Sequence, residues 1–361
     1  MKPGTEANGR CMTTLQEVQA AAGATFMTVA DQTVPQQFGQ DAAARQAIAA
    51  GVALCDRSHW GRLRVGGGDR LRFLHNQTTH AMEPLQPGQS CDTVFVTSTA
   101  RTIDLVSAYV LEDHVCLLTS PGYGSKLMQW MDRFIFFADK VDLADLTEAT
   151  ACFSIMGPDS DRLLQQVGLA IAPPHTHTQT EINGMTVRVA AGSGLATPGY
   201  TLICDRDQGA DLWQQLTGAG AIPFGQDLWE SLRIQQGRPM PDQELTEDYN
   251  PLEAGLWHRI SFSKGCYIGQ ETIARLDTYK GVKQQLWGIR LSEQVEPGTA
   301  LTVDDTKVGL LTSVTPAESG AIGLAYLRTK AGGPGLTVQV GTAQGEILDV
   351  PFLTRERSPL N

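Results

Sequence analysis

The C-terminal part of the chain constrains the fold most. From Gln285 onward the sequence breaks into six short apolar runs: Leu286 to Leu291, Ala300 to Val303, Val308 to Val314, Ile322 to Leu327, Leu336 to Val340 and Ile347 to Phe352. Pro297-Gly298, Pro316, Gly332-Gly333-Pro334-Gly335 and Gly341 separate them. Runs this short suit strands, and the Gly and Pro between them suit tight turns. Regular short strands with such punctuation predict a small six-stranded antiparallel β-barrel.

The preceding part carries an approximate repeat. Arg62 to Val65 alternates as a half-buried strand, Gly66-Gly67-Gly68-Asp69 turns, and a helix follows with Leu71 and Leu74 inward. A strand pair, Ile103 to Leu111 and Val115 to Thr119, leads to a helix from about Tyr123 to Phe136. Its apolar face is Leu127, Met128, Met131, Phe134 and Ile135. The order then recurs with Phe153 to Met156, a Gly157-Pro158-Asp159 turn, Leu163 and Leu164, the pair Met185 to Ala190 and Tyr200 to Cys204, and a helix from Gln208 to Leu216. Gly66 to Gly157 is 91 residues and Gly122 to Gly209 is 87. Two related α+β halves are expected. The expected division is a flexible, Ala/Gly/Gln-rich arm over 1–39, α+β domains over 40–150 and 151–283, and the barrel over 284–361. Asp41 is placed to cap a helix running to Gly51.

Composition narrows the function classes. Hydrophobic residues make up 42% and charged residues 19%, as in a folded globular protein. No run of about 18 apolar residues exists, so no membrane span is expected. The net charge of −11 disfavours a bulk electrostatic hold on nucleic acid. Seven cysteines occur without a CxxC pair; five lie in or beside apolar runs and read as buried, reduced thiols. No metal-ligand spacing appears. His175 and His177 lie in a polar stretch and read as solvated. Without a secretory signal, the protein is expected to be cytoplasmic, and a monomer is expected.

Two segments carry candidate chemistry. In Ile222 to Gly237, Leu228 and Leu232 share one helical stripe, and Trp229 and Arg233 share the next, one turn apart. Indole beside guanidinium suits an aromatic ligand with an anionic tail; on spacing alone a core-edge tryptophan under an arginine is the favoured reading. In Lys264-Gly265-Cys266-Tyr267-Ile268-Gly269-Gln270-Glu271, Cys266 precedes a helix start at Gln270 with Lys264 nearby. Both features favour thiolate; the alternative is a buried structural cysteine.

This eight-residue segment resembles the K-G-C-Y-[TI]-G-Q-E signature of the YgfZ family of folate-binding proteins, related to the glycine cleavage T-protein, an aminomethyltransferase. Cys55-Asp56-Arg57-Ser58-His59-Trp60-Gly61 is similar to the T-protein "D-x-S-x-x-G" opening. The resemblance runs from about Ala47 to the C-terminus. It implies two α+β domains and a β-barrel around a central channel that binds tetrahydrofolate. It places Trp60, Trp229, Arg233, Asp104 and Gln270 at folate, with Cys266 and Lys264 as the reactive pair. Asp104 lies where the T-protein carries "I-x-D-D-L", and is equally readable as a strand-end residue. The implied role is support of iron–sulfur enzymes, with indirect effects on tRNA modification, through client or assembly proteins. The alternative is a folate-dependent aminomethyl or one-carbon transferase. Against glycine cleavage, Gly194 to Tyr200 lacks the acid of the T-protein "G-Y-T-G-E-x-G-x-E" stretch.

Overall fold

The computed structural model describes residues 13–357. Cys11 lies outside them. The fold is the expected α+β one: two sheets with helices, followed by a closed barrel.

The first sheet orders its strands Ser90–Val96, Thr102–Val110, His114–Thr119, Gly61–Gly66 and Asp142–Asp145, all antiparallel. The second orders His177–Ile182, Met185–Ala191, Gly199–Asp205, Thr150–Met156, Ala53–Asp56 and Ile222–Phe224. In each, a strand runs through a glycine turn into a helix, Arg70–Gln77 or Ser160–Val167, before a three-strand meander and a second helix. The turns explain the glycines. Gly67 and Gly157 have φ of +90° and +125°. A Cβ at Gly67 would fall 2.0 Å from the Lys140 carbonyl oxygen, and at Gly157 2.4 Å from that of Gly51.

One strand crosses between the halves. Ala53–Asp56 leads into Gly61–Gly66 but pairs with Thr150–Met156 of the other sheet. Asp142–Asp145 leads into Thr150–Met156 but pairs with Gly61–Gly66. The second sheet therefore takes in a strand that precedes the first, whereas the first is built from the single stretch 61–145. Arg62 braces the crossover: its fully buried guanidinium donates to the carbonyls of Ser58, Trp60, Thr147 and Thr150.

Residues 13–39 correct the expectation of a flexible arm. Thr14 and Glu17 form a capping box on helix Leu15–Ala21. A hairpin, Thr25–Val29 with Gln32–Gln37, follows. Val18, Val34 and Phe38 are buried, and Phe38 stacks on Trp213 at 5.8 Å. The hairpin turn is Ala30-Asp31, both at positive φ, without the glycine that normally marks it. The helix expected to run to Phe136 is Gly124–Asp132, and Phe136 and Phe137 are exposed.

The barrel closes through Gln284–Leu291, Ala321–Arg328, Thr306–Pro316, Ala300–Val303, Thr337–Val340 and Ala343–Leu348. Ile289, Leu301, Leu311, Leu327, Val340 and Ile347 fill its core. The sixth run was expected to Phe352; the strand stops at Leu348, and Val350, Phe352 and Leu353 leave the barrel to pack with Ile234 and Leu256. No helix among the described residues is long and apolar enough to cross a membrane.

Candidate functional site

A cavity of about 910 Å³ opens between the two sheets. Ser90, Cys91, Asp92, Ser107 and Tyr109 wall it from the first sheet; Gly157 to Ser160 and the Ala191–Thr201 loop wall it from the second. Arg259 and the displaced Phe352 complete it. Thus the segment leaving the barrel supplies an aromatic side chain to the interface of the two halves.

None of the expected site residues lines this cavity. Trp60 and Trp229 do meet, edge to face at 5.7 Å, yet each is only 1% exposed. They are core rather than a ligand platform, because Arg57 covers them: its guanidinium lies 3.8 Å from the Trp60 ring and 4.8 Å from that of Trp229. The arginine over the tryptophan is therefore Arg57 and not Arg233. Arg233 corrects the expectation of a folate-tail contact. It is fully buried, donates to Glu244 at 2.9 Å and to Ser313 at 2.8 Å, and also bonds Glu230 and Gln243. A guanidinium so committed has no free face for a carboxylate.

Asp104 is buried on strand Thr102–Val110 and accepts from the Ser120 amide at 2.9 Å and hydroxyl at 2.6 Å. Burial pushes its pKa up to about 6 despite these donors and the Arg238 charge. Gln270 turns its Oε1 to the Tyr267 amide at 3.3 Å, fastening its own loop. Cys266 is exposed, whereas Cys55, Cys91, Cys116, Cys152 and Cys204 are buried. Helix Gln270–Thr278 begins at a Gly269 cap, so Cys266 stands four residues before it.

Lys264 departs from its expected part as the thiol's partner. Its ammonium donates to the carbonyls of His75, of Thr78 at 2.7 Å and of His80 at 2.8 Å. Burial lowers its pKa to about 7, while three acceptors favour the protonated form that can satisfy them all. The lysine is a clamp: it ties the Cys266 loop to the His75–His80 segment, and His80 lines the cavity. One histidine reading also changes. His177 is buried in a strand, between the Val110 carbonyl at 2.9 Å and Arg188 at 2.8 Å, and burial lowers its pKa to about 4. His175 is exposed, as expected, and borders the cavity. Sequence reasoning missed Arg57, Arg238, Arg259, Tyr109 and Phe352 as residues of this region. Only the Arg57-to-Trp60 spacing hinted at them.

Two related α+β sheets with a cavity between them, followed by a closed barrel, define the class of fold. The chain belongs to the glycine cleavage T-protein superfamily: residues 15–264 match the family's GCVT N-terminal domain. It is 44% identical to a chloroplastic "putative transferase" of Arabidopsis thaliana, over 92% of this chain and 78% of the relative. It is 27% identical to the aminomethyltransferase of Geobacillus kaustophilus, over 96% of this chain and 99% of the other. Its fold is similar to the crystal structure of glycine cleavage system aminomethyltransferase T from Bartonella henselae, with a TM-score of 0.84, 19% identity and 96% and 99% of the two chains covered. The expectation of a cytoplasmic protein is contradicted by the relative from Arabidopsis thaliana, which is chloroplastic.

Proposed function

We propose that the cavity binds tetrahydrofolate and that the chain is a YgfZ-type protein whose folate site supports iron–sulfur enzymes. The observation that carries the reading is the cavity itself, at the junction of the two halves. Its volume of about 910 Å³ falls within the range of sites for drug-sized ligands. Tyr109 and Phe352 offer ring surface and Arg259 a cation, which fits a molecule with flat rings and carboxylates. The signature loop supports the finer assignment: it presents an exposed Cys266 and is anchored through Lys264 to the segment ending at the cavity-lining His80.

Tetrahydrofolate is expected to change the fluorescence of Trp60 and Trp229, which pack behind the cavity wall, and to bind measurably by calorimetry. Phe352→Ala should weaken binding by about 1 kcal/mol, the worth of one aromatic contact. Absence of heat and of a fluorescence change with folded protein would sink the reading. Cys266→Ser should leave folate binding intact and abolish support of iron–sulfur enzymes in cells.

A second reading, a folate-dependent aminomethyl transferase, is favoured by the full-length likeness to aminomethyltransferases. It meets a chemical obstacle in the stretch Gly194 to Tyr200, which has no acid. An assay of one-carbon transfer with wild type and Asp104→Asn separates the two readings.

A further inference from the structure

The loop after helix Gly124–Asp132 turns two aromatic side chains to solvent. Phe136 is 71% exposed and Phe137 is fully exposed; among the described residues only Ile171 and Tyr279 are other large hydrophobics so placed. The loop is built rather than frayed. The Phe136 amide donates to Asp139 Oδ2 at 2.9 Å, and the Asp139 amide donates to the Phe136 carbonyl at 2.9 Å. The Lys140 amide donates to Asp69 Oδ2 at 3.0 Å, and the Asp69 amide donates to the Lys140 carbonyl at 3.1 Å. Adjacent rings held out in water by such a loop mark an interaction surface, unlike apolar residues scattered singly.

Beside the loop is a second cavity, of about 360 Å³, which shares no lining residue with the one between the sheets. Phe73, Phe134 and Phe136 give it ring surface, and Asp69, Asp139 and Gln77 give it acceptors. The two carboxylates share one guanidinium, that of Arg72, at 3.3 Å and 3.8 Å, so the wall keeps a surplus of negative charge. Arg133 and Lys140, the cations of the loop itself, do not line the cavity. Gln77 is 7% exposed, and its Oε1 has no hydrogen-bond partner among the described residues. An unpaired buried acceptor is costly, which favours a donor entering here. Aromatic faces, surplus negative charge and a carboxamide oxygen together suit a planar cation with several N–H donors, a guanidinium. The chain's net charge of −11 favours a basic partner in the same sense. Phe137 lies outside the cavity, so a free small molecule bound there would leave that ring uncovered.

We propose that this cavity and the Phe136-Phe137 pair form a docking surface for a protein partner that inserts an arginine side chain, with apolar neighbours covering the two rings. The surface adjoins the signature loop. Asn76 lines the cavity, and its carbonyl accepts from the Ile268 amide at 2.9 Å, two residues past the exposed Cys266. A partner docked here is held beside that cysteine. The inference is independent of the folate reading.

The test selects random short peptides displayed on phage for binding to wild type, after depletion on Phe136→Ser combined with Phe137→Ser. Both rings are exposed, so the double variant should melt with wild type. Selected peptides should share an arginine next to an apolar residue. In calorimetry, one such peptide should bind wild type about tenfold or more tighter than its copy with glutamine for the arginine, the difference shrinking in high salt, with a lysine copy between the two. Gln77→Leu should weaken the arginine peptide about tenfold without lowering the Tm, because it removes an unpaired buried acceptor; a glutamine with a merely structural part would show the reverse. Selected peptides without arginine, or equal binding of the arginine and glutamine copies, overturn the proposal. Sedimentation of the protein alone, and with vesicles of phosphatidylcholine and phosphatidylglycerol, tests the other occupants. Self-association or vesicle binding that the double variant abolishes makes the surface a contact between copies or with lipid, and overturns the protein partner. Tetrahydrofolate titration of the same variants is a separate readout, and a failure to bind folate leaves the peptide result standing.

Discussion

Trp60 and Trp229 are brought together as the resemblance implied, but as core. Their sequence context could not reveal this, because Arg57, far from Trp229 in sequence, covers both rings. Exposure separates the cysteines more plainly. Cys266 should alkylate fastest of the six described cysteines, since the other five are buried; peptide mass spectrometry after brief iodoacetamide treatment checks it. Asp104 sets a pH dependence. Its folded pKa, about 6, lies above the value of about 3.8 for a free carboxyl. Its contribution to stability is thus complete below the unfolded value and is lost as pH rises through about 6. Asp104→Asn, neutral at every pH, should gain stability relative to wild type by on the order of 2 kcal/mol between pH 4 and pH 8. A gap in Tm that stays constant across that range would refute the burial argument.

The loop Ser261 to Glu271 was legible as a motif but not as a device. Its glycines and cysteine stand out in the sequence, whereas the three carbonyls that hold Lys264 belong to a segment nearly 190 residues earlier. Lys264→Met would leave those carbonyls unpaired and cost roughly 2–3 kcal/mol. The loop should then exchange amide hydrogens faster at residues 261–269 while the barrel strands stay protected; unchanged exchange there would refute the clamp. The hairpin at Thr25 to Gln37 escaped for a different reason. Its turn, Ala30-Asp31, takes left-handed angles without glycine, so the local code is silent and burial of Val34 and Phe38 decides. The last barrel run failed at its end, because apolarity alone cannot tell a strand from an extended segment leaving the sheet.

Cohesion between the parts comes from two features. Strand Ala53–Asp56, which precedes the first sheet in sequence, lies inside the second between Thr150–Met156 and Ile222–Phe224, so the second sheet is incomplete without a piece of the first half. Calorimetry should therefore show one cooperative transition for the two halves; two resolved transitions would contradict this coupling. Arg233 joins helix Gln226–Gln236 to Glu244 and to Ser313 of the barrel. Arg233→Met leaves Glu244 buried and unpaired, which should cost about 3–5 kcal/mol. Arg233→Met combined with Glu244→Met should recover much of that loss in denaturant titrations, since no lone charge then remains. Equal or greater destabilisation by the double variant would show that the pair's worth lies elsewhere.

The barrel, the two related halves and the signature loop were readable because each rests on local chemistry: alternation, turn glycines, and a short motif within one segment. Gly67 and Gly157 were visible for that reason; their backbone angles and close carbonyls demand glycine at the same point of each half. The crossing of Ala53–Asp56 into the second sheet, the covering of Trp229 by Arg57, the pairing of Arg233 with Glu244 and the place of Arg259 on the cavity wall were decided only in three dimensions. In each, the partners are residues of long side chain whose role depends on which buried charge or ring lies opposite. A guanidinium in a chain of either sign has no assigned face until folding sets the solvent and the counter-charge around it.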